Sequence, residues 1–153
     1  HPVLYQRIMK AKEQRDLFVV VIDPRFTSTC EAADLHLPIL PGQDVALFNG
    51  LLQYLSKNDH ADQDFIAAHT QGLEQAFAQS QSESSIEDVA VRTGISLEKL
   101  QVFYQKFAQT EKVMTLFSMG VNQSSQGVNK ANSISNCHLF TGKIGKLGAA
   151  PFP

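Results

Sequence analysis

The sequence is poor in the features that announce chemistry by themselves. Its 153 residues hold two cysteines, Cys30 and Cys137. That is no disulfide framework, and it falls short of the four thiolates that normally hold an iron–sulfur cluster. Reduced thiols suit a cytoplasmic protein, the location expected here. Basic residues are not in excess. Thirteen Lys and Arg stand against fifteen Asp and Glu, a formal net charge of -2, so there is no electropositive footprint for nucleic acid. No apolar run approaches the ~18 residues of a membrane span. No HExxH is present, and His36, His60, His69 and His138 show no metal-ligand spacing with one another or with the cysteines. Gly142, Gly145 and Gly148 recur every three residues with Lys143 and Lys146 between them. They make no GxxxxGK[ST] phosphate loop, and this tail reads as flexible. Asn122-Gln123-Ser124 matches a glycosylation sequon, but no secretory signal accompanies it. No nucleophile stands beside a base, no segment repeats and no linker divides the chain.

What remains is the pattern of a globular α/β protein. Hydrophobic residues make up 43% and charged residues 18%. A domain near this length buries roughly 70% of its unfolded surface. Pro2 to Arg15 reads as a helix with Val3, Leu4, Ile8 and Met9 at helical spacing and Lys10, Lys12 and Arg15 toward its C-terminal end. Leu17 to Ile22 is a continuous apolar, largely β-branched run, the mark of a strand buried on both faces, and Asp23-Pro24 stops it. A short helical turn is predicted over Ser28 to Ala33 and a weaker strand over Leu35 to Leu40, closed by Pro41-Gly42. Asp44 opens an amphipathic helix to about Ser56, its apolar face being Val45, Leu47, Phe48, Leu51, Leu52 and Leu55.

Residues 57 to 111 read as an all-helical stretch: Asp62 to Ala68, Gly72 to Ala78, a polar surface turn over Ser82 to Ser85, a helix capped by a Ser84-x-x-Glu87 box and ended at Gly94, and one from Ser96 to Thr110. Lys112 to Ser118 is a third buried strand, and Ser124 to Phe140 a helix stopped at Gly142. Strands separated by helices predict a Rossmann-like parallel sheet flanked by helices, with an all-helical insertion. The chain starts on a helix at His1-Pro2 and ends in loop-like Ala150-Pro151-Phe152-Pro153, so both ends are expected to be cuts. On that reading residues 1–153 are a single partial domain, the first strand of the sheet lies upstream, and the isolated piece self-associates through the exposed edge.

Ligands of open α/β sheets bind beyond the carboxyl ends of the strands. Three such ends carry polar groups beside a turn: Asp23-Pro24-Arg25-Phe26-Thr27, Gly42-Gln43-Asp44 and Met119 to Gln123. A carboxylate at Asp23 is placed to accept ribose hydroxyls, and Arg25 to fork onto a phosphate. Asp44 has the position of a helix N-cap or of an acceptor for one edge of a guanine. Asn122 and Gln123 both donate and accept. The plainer reading stays open: turn and capping residues at Asp23 and Asp44, and a surface ion pair at Arg25.

The same three strand ends carry a family resemblance. VVVIDPRFTSTCEAADLHLPILPGQDVALFNGLLQYL (Val19 to Leu55) is similar to the molybdopterin oxidoreductases, whose pattern there is close to IDPR-x-T-x-x-x-x-AD-x-H-x-x-x-x-PG-x-D-x-AL. The run from Thr110 to Phe152, with NQSSQGVNKAN inside it, resembles the assimilatory nitrate reductase branch of that family. The resemblance covers nearly the whole chain and is weakest over residues 57 to 109. It implies a bis(molybdopterin guanine dinucleotide) molybdenum centre and an iron–sulfur cluster in a longer parent enzyme that reduces nitrate to nitrite. Carried over by position, the cofactor contacts are Asp23, Pro24, Arg25, Phe26, Thr27, Gly42, Gln43, Asp44, Met119 and Gln123. Relatives often have Arg or a polar residue where Phe26 stands, which puts one phosphate or ribose contact in doubt. The cluster cysteines, the metal ligand, the Gly-rich loop and a C-terminal cofactor domain are not in this sequence. The remainder of the parent polypeptide is therefore the expected partner, and the chain alone is expected to be inactive and to bind guanine nucleotide weakly or not at all. A formate dehydrogenase of the same superfamily and a non-catalytic α/β binding module are the alternatives.

Overall fold

The computed structural model describes residues 2–83 and 85–153. Two compact units divide the chain, His1–Ile39 and Leu40–Pro153. The first holds α1 (Pro2–Gln14), β1 (Val20–Ile22), α2 (Ser28–Glu31) and β2 (Leu35–Leu37). β1 and β2 pair in parallel, with Val20 opposite Leu35 and Ile22 opposite Leu37. The link between them is among the shortest that can reverse the chain twice, since parallel strands need a crossover of a dozen or so residues. Lys12 pins α1 to this crossover. Its ammonium lies 2.7 Å from Asp34 Oδ2 and donates to the Ala32 carbonyl.

The second unit is mostly helical: α3 (Asp44–Lys57), α4 (Gln63–His69), α5 (Leu73–Ser80), a 3-10 turn over Gln81–Glu83, α6 (Ile86–Thr93), α7 (Leu97–Gln109), β3 (Met114–Leu116), α8 (Met119–Asn122), α9 (Gly127–Phe140) and β4 (Ala150–Phe152). α3 is the hub. The predicted apolar stripe is buried except for Val45, which is half-buried: Leu47, Leu51 and Leu55 are wholly inaccessible, and the helix packs on α9, α6, α5 and α7. Tyr104 of α7 donates its hydroxyl to the Leu47 carbonyl at 2.8 Å. The Cys137 thiol of α9 meets the Phe48 carbonyl at 3.2 Å.

The sheet departs from the expectation. Among the described residues the strands form two separate two-stranded parallel sheets, β1–β2 and β3–β4, not one Rossmann-like layer. The three strand ends therefore do not lie along one sheet edge. β3 is not buried on both faces: Met114 is 52% and Leu116 44% exposed. Its partner is the tail read as flexible, with Met114 opposite Ala150 and Leu116 opposite Phe152. A three-residue strand containing Pro151 has no strand signature in sequence, and such a proline is tolerated because it sits where no ladder N–H is needed. The tail glycines all take positive φ, so their spacing marks ordered turns. Gly142 also packs tightly on Asp62, leaving no room for a Cβ.

The turn before α6 is not wholly at the surface, although Ser82 is exposed. Glu83 is buried at 3% exposure and ion-paired with Arg92 of α6. Ser84, the proposed capping residue, lies outside the described residues. Ser85 supplies the cap, its hydroxyl accepting the Asp88 N–H at 3.0 Å. Among the described residues no helix is long and apolar enough to cross a membrane.

Candidate functional site

In the first unit, Asp23 to Thr27 form the loop that leaves β1. Asp23 Oδ1 accepts the Arg25 N–H at 2.8 Å, so the carboxylate closes its own turn, as the plainer reading held. That leaves Asp23 Oδ2 outside the turn bond. His36 of β2 holds the loop from beneath, donating Nε2–H to the Asp23 carbonyl at 2.8 Å. Phe26 stands edge-on to the same imidazole at 5.4 Å and is 68% exposed. Thr27 occupies the N-cap position of α2, and its hydroxyl lies 3.6 Å from the Cys30 thiol. Pro24 and Arg25 are exposed, and the Arg25 guanidinium makes no ion pair among the described residues. The surface ion pair considered for it is absent there.

In the second unit, the turn Leu40 to Gln43 closes through the Gln43 N–H to the Leu40 carbonyl at 3.2 Å. Gly42 sits in it at φ +85, and a Cβ there would meet nothing within 4 Å. The position demands glycine for its backbone and leaves an open approach to the main chain. Asp44 is not the N-cap. Gln43 holds that position, and Asp44 is the first residue of α3. Its carboxylate Oδ2 lies 2.7 Å from the Lys130 ammonium, the two side chains being 21% and 7% exposed. Asp44 Oδ1 accepts no hydrogen bond among the described residues. A carboxylate in the first turn of a helix is favoured by the helix dipole.

The third segment is a single helical turn. Met119 is 67% exposed, and Gly120 again has open space where a Cβ would stand. Gln123 is exposed at the C-cap of α8, its N–H on the Met119 carbonyl. Lys130 reaches this turn too, with Nζ 3.4 Å from the Gly120 carbonyl. One lysine thus brings Gly42–Asp44 and Met119–Gln123 together. Residues 23–27 belong to the other unit.

Lys130 and His36 were missed from sequence. A lone lysine in a polar helix reads as solvated. The signal available was register: Lys130, Ile134 and Cys137 fall on one face of α9, and all three are buried. Nothing in this arrangement is a metal centre. Cys30 and Cys137 are both free and buried, and among the described residues no group of three or more His, Cys, Asp or Glu is placed to hold a metal ion. What the loops offer is a set of hydrogen-bonding groups of both signs around two open glycines.

A family model described as Molybdopterin oxidoreductase matches residues 1–153. The chain is 45% identical over 153 residues to the nitrate reductase of Shewanella frigidimarina, covering 99% of this chain and 16% of that protein. It is 37% identical over 145 residues to the assimilatory nitrate reductase catalytic subunit of Bacillus subtilis, covering 95% and 20%. It is 32% identical over 153 residues to the F420-dependent formate dehydrogenase 1 subunit alpha of Methanococcus maripaludis, covering 100% and 22%. Among solved structures, acetylene hydratase from Pelobacter acetylenicus superposes with a TM-score of 0.68 at 26% identity, over 86% of this chain and 17% of that one. The chain spans about a fifth of the length of these relatives.

Proposed function

The chain belongs to the molybdopterin oxidoreductase family, and from that premise we propose that it works as part of a longer nitrate reductase, where it helps to hold the guanosine ends of a bis(molybdopterin guanine dinucleotide) molybdenum cofactor. The observation that carries the nitrate reading is the 45% identity to a nitrate reductase over 99% of the chain. The donor set fits a guanosine phosphate. Asp44 keeps one carboxylate oxygen without a hydrogen bond among the described residues, suited to two N–H groups on one edge of guanine. The open main chain at Gly42 admits a close approach. Gln123 supplies an exposed amide and Met119 an exposed thioether. In the other unit, Arg25 presents an exposed guanidinium, the group that forks onto phosphate, and Asp23, Pro24, Phe26 and Thr27 form the surface around it.

When bound, the molybdenum centre supplies the two-electron chemistry that takes nitrate to nitrite. The residues of this chain bind and orient. Neither of its cysteines is part of a metal-holding group among the described residues, so the iron–sulfur cluster and the metal ligand belong to other parts of the parent enzyme in this reading. A second reading, a formate dehydrogenase, is favoured by the 32% identity to one over the full 153 residues.

The test is Asp44→Asn in the full-length enzyme. Asparagine keeps an oxygen for Lys130 and turns an N–H2 toward guanine donors, so retained guanine nucleotide and molybdenum per polypeptide fall together. Hydrogen bonds to charged groups contribute about 1.5–3 kcal/mol, which corresponds to roughly a tenfold to hundredfold weaker hold. Unchanged cofactor content refutes the guanosine role. Assays of the loaded native enzyme on nitrate and on formate decide between the two substrates.

A further inference from the structure

A cation built into the second unit's proposed cofactor surface, Lys130, is itself buried, and it is shared by two loops. Lys130 is 6% exposed. Its ammonium reaches Asp44 Oδ2 at 2.7 Å and the Gly120 carbonyl at 3.4 Å. Burying an ammonium is costly unless it is paired and hydrogen-bonded, and both acceptors here belong to the loops assigned to the cofactor. The backbone that carries Lys130 is firmly placed. It lies in the first half of α9, on the face that also buries Ile134 and Cys137 against α3. The stem therefore has little freedom to move its charge.

We propose that Lys130 is a positioning residue for the cofactor site: it clamps Asp44 to the Met119–Gln123 turn, so that the second carboxylate oxygen of Asp44 and the amide of Gln123 are presented as one preformed surface to the guanine nucleotide. This rests on the guanosine reading above. The clamp acts in two ways. It takes one carboxylate oxygen out of play, leaving a single acceptor of fixed direction. It also ties a single-turn helix, which has few bonds of its own, to the first turn of α3. Without it, Asp44 rotates and the α8 turn loses its only side-chain tie to α3 among the described hydrogen bonds and ion pairs. A preorganised acceptor binds more tightly because less ordering remains to be done on binding.

The experiment uses the full-length enzyme and reads the half-time of guanine nucleotide release by gel filtration and nucleotide analysis, not turnover. Lys130→Met shortens that half-time about tenfold. Asp44→Asn shortens it by as much or more, and the double variant Lys130→Met, Asp44→Asn shortens it by clearly less than the product of the two single effects, because the lysine acts largely through the carboxylate. If Lys130→Met does not fold, Lys130→Gln replaces it. Its amide still donates, and its half-time is expected to fall short of the native one, again with less than a multiplicative loss when combined with Asp44→Asn. A lysine variant that folds and releases at the native rate while Asp44→Asn releases fast overturns the clamp and leaves the guanosine reading standing. Multiplying effects in the double variant overturn it as well. A native half-time for Asp44→Asn defeats the guanosine reading itself.

Discussion

Gly50 is the residue at which local preference and packing disagree most sharply. It lies inside α3, where alanine in place of glycine favours the helix by about 1 kcal/mol. Local propensity therefore predicts that Gly50→Ala stabilises the protein. The structure predicts the reverse. A Cβ at Gly50 would stand 2.5 Å from Val89 Cγ2 and 2.6 Å from the Tyr104 hydroxyl, well inside contact distance. Neither neighbour can withdraw, since Val89 and Tyr104 are both wholly buried. Valine in a helix has essentially one χ1 rotamer. Overpacking of this kind costs about 1–3 kcal/mol. Displacing Tyr104 also strains its 2.8 Å hydrogen bond to the Leu47 carbonyl, and an unsatisfied buried hydroxyl costs about 1–3 kcal/mol more. Against the helix gain the net is a loss of about 3 kcal/mol, taking the middle of these ranges. Urea unfolding reads it as a midpoint lowered by roughly 1.5 M if the slope is near 2 kcal/mol per molar. Val89→Ala makes space for the new methyl, so Gly50→Ala and Val89→Ala together cost less than the sum of the two alone. A midpoint for Gly50→Ala at or above the native value, or strict additivity in the pair, refutes the close approach of α3 to α6 and α7.

Two further predictions concern buried titratable groups on α9. His138 is inaccessible, donating Nδ1–H to the Lys143 carbonyl at 2.8 Å and accepting at Nε2 from the Thr115 hydroxyl at 2.8 Å. Burial chiefly, and the Lys143 cation, hold its pKa below the ordinary 6.5, while the carbonyl bond opposes them. The unfolded chain then takes up this proton first, so stability falls as pH drops from 6.5 toward the lowered folded value. His138→Asn flattens the fall of unfolding free energy below about pH 6.5, and an unchanged slope there contradicts the burial of a neutral imidazole at this position. Cys137 is wholly buried, and burial pushes its thiol pKa up. The native protein therefore leaves Cys137 unmodified by an aromatic disulfide reagent at pH 8 until denaturant is added, and rapid labelling there without denaturant contradicts the packing of α9 on α3.

Much of the helical framework was legible because helix signals are local. The period of Leu47, Leu51 and Leu55 located α3, Gly94 ended α6 at φ +72, and Ser96 stands at the N-cap position of α7, though its hydroxyl makes no cap bond. β1, β2 and β3 were located but drawn too long, and β4 was not located. Leu17 and Phe18 extend the apolar run before β1, yet both are about two-fifths exposed and lie outside the strand. Strand limits depend on where a partner begins and ends, and Leu35 to Leu37 is all the partner β1 has. The site was half visible. Asp44 could be singled out beside Pro41-Gly42, but its ion pair is made to a residue on another helix, which no spacing rule connects to it.

The sequence alone determined most of the helices, the buried face of α3 and the positions of the three polar turns, because each follows from periodicity and from residues a few positions apart; the single turn α8 was not among them. Only the tertiary structure decided that β3 pairs with Ala150–Phe152 instead of joining β1 and β2, that Glu83 is buried against Arg92, and that Lys130 closes on Asp44. Strand pairing and buried charge are settled by which distant groups meet once the core has formed. For a lysine or a three-residue strand, the local sequence is the same whether or not that meeting takes place.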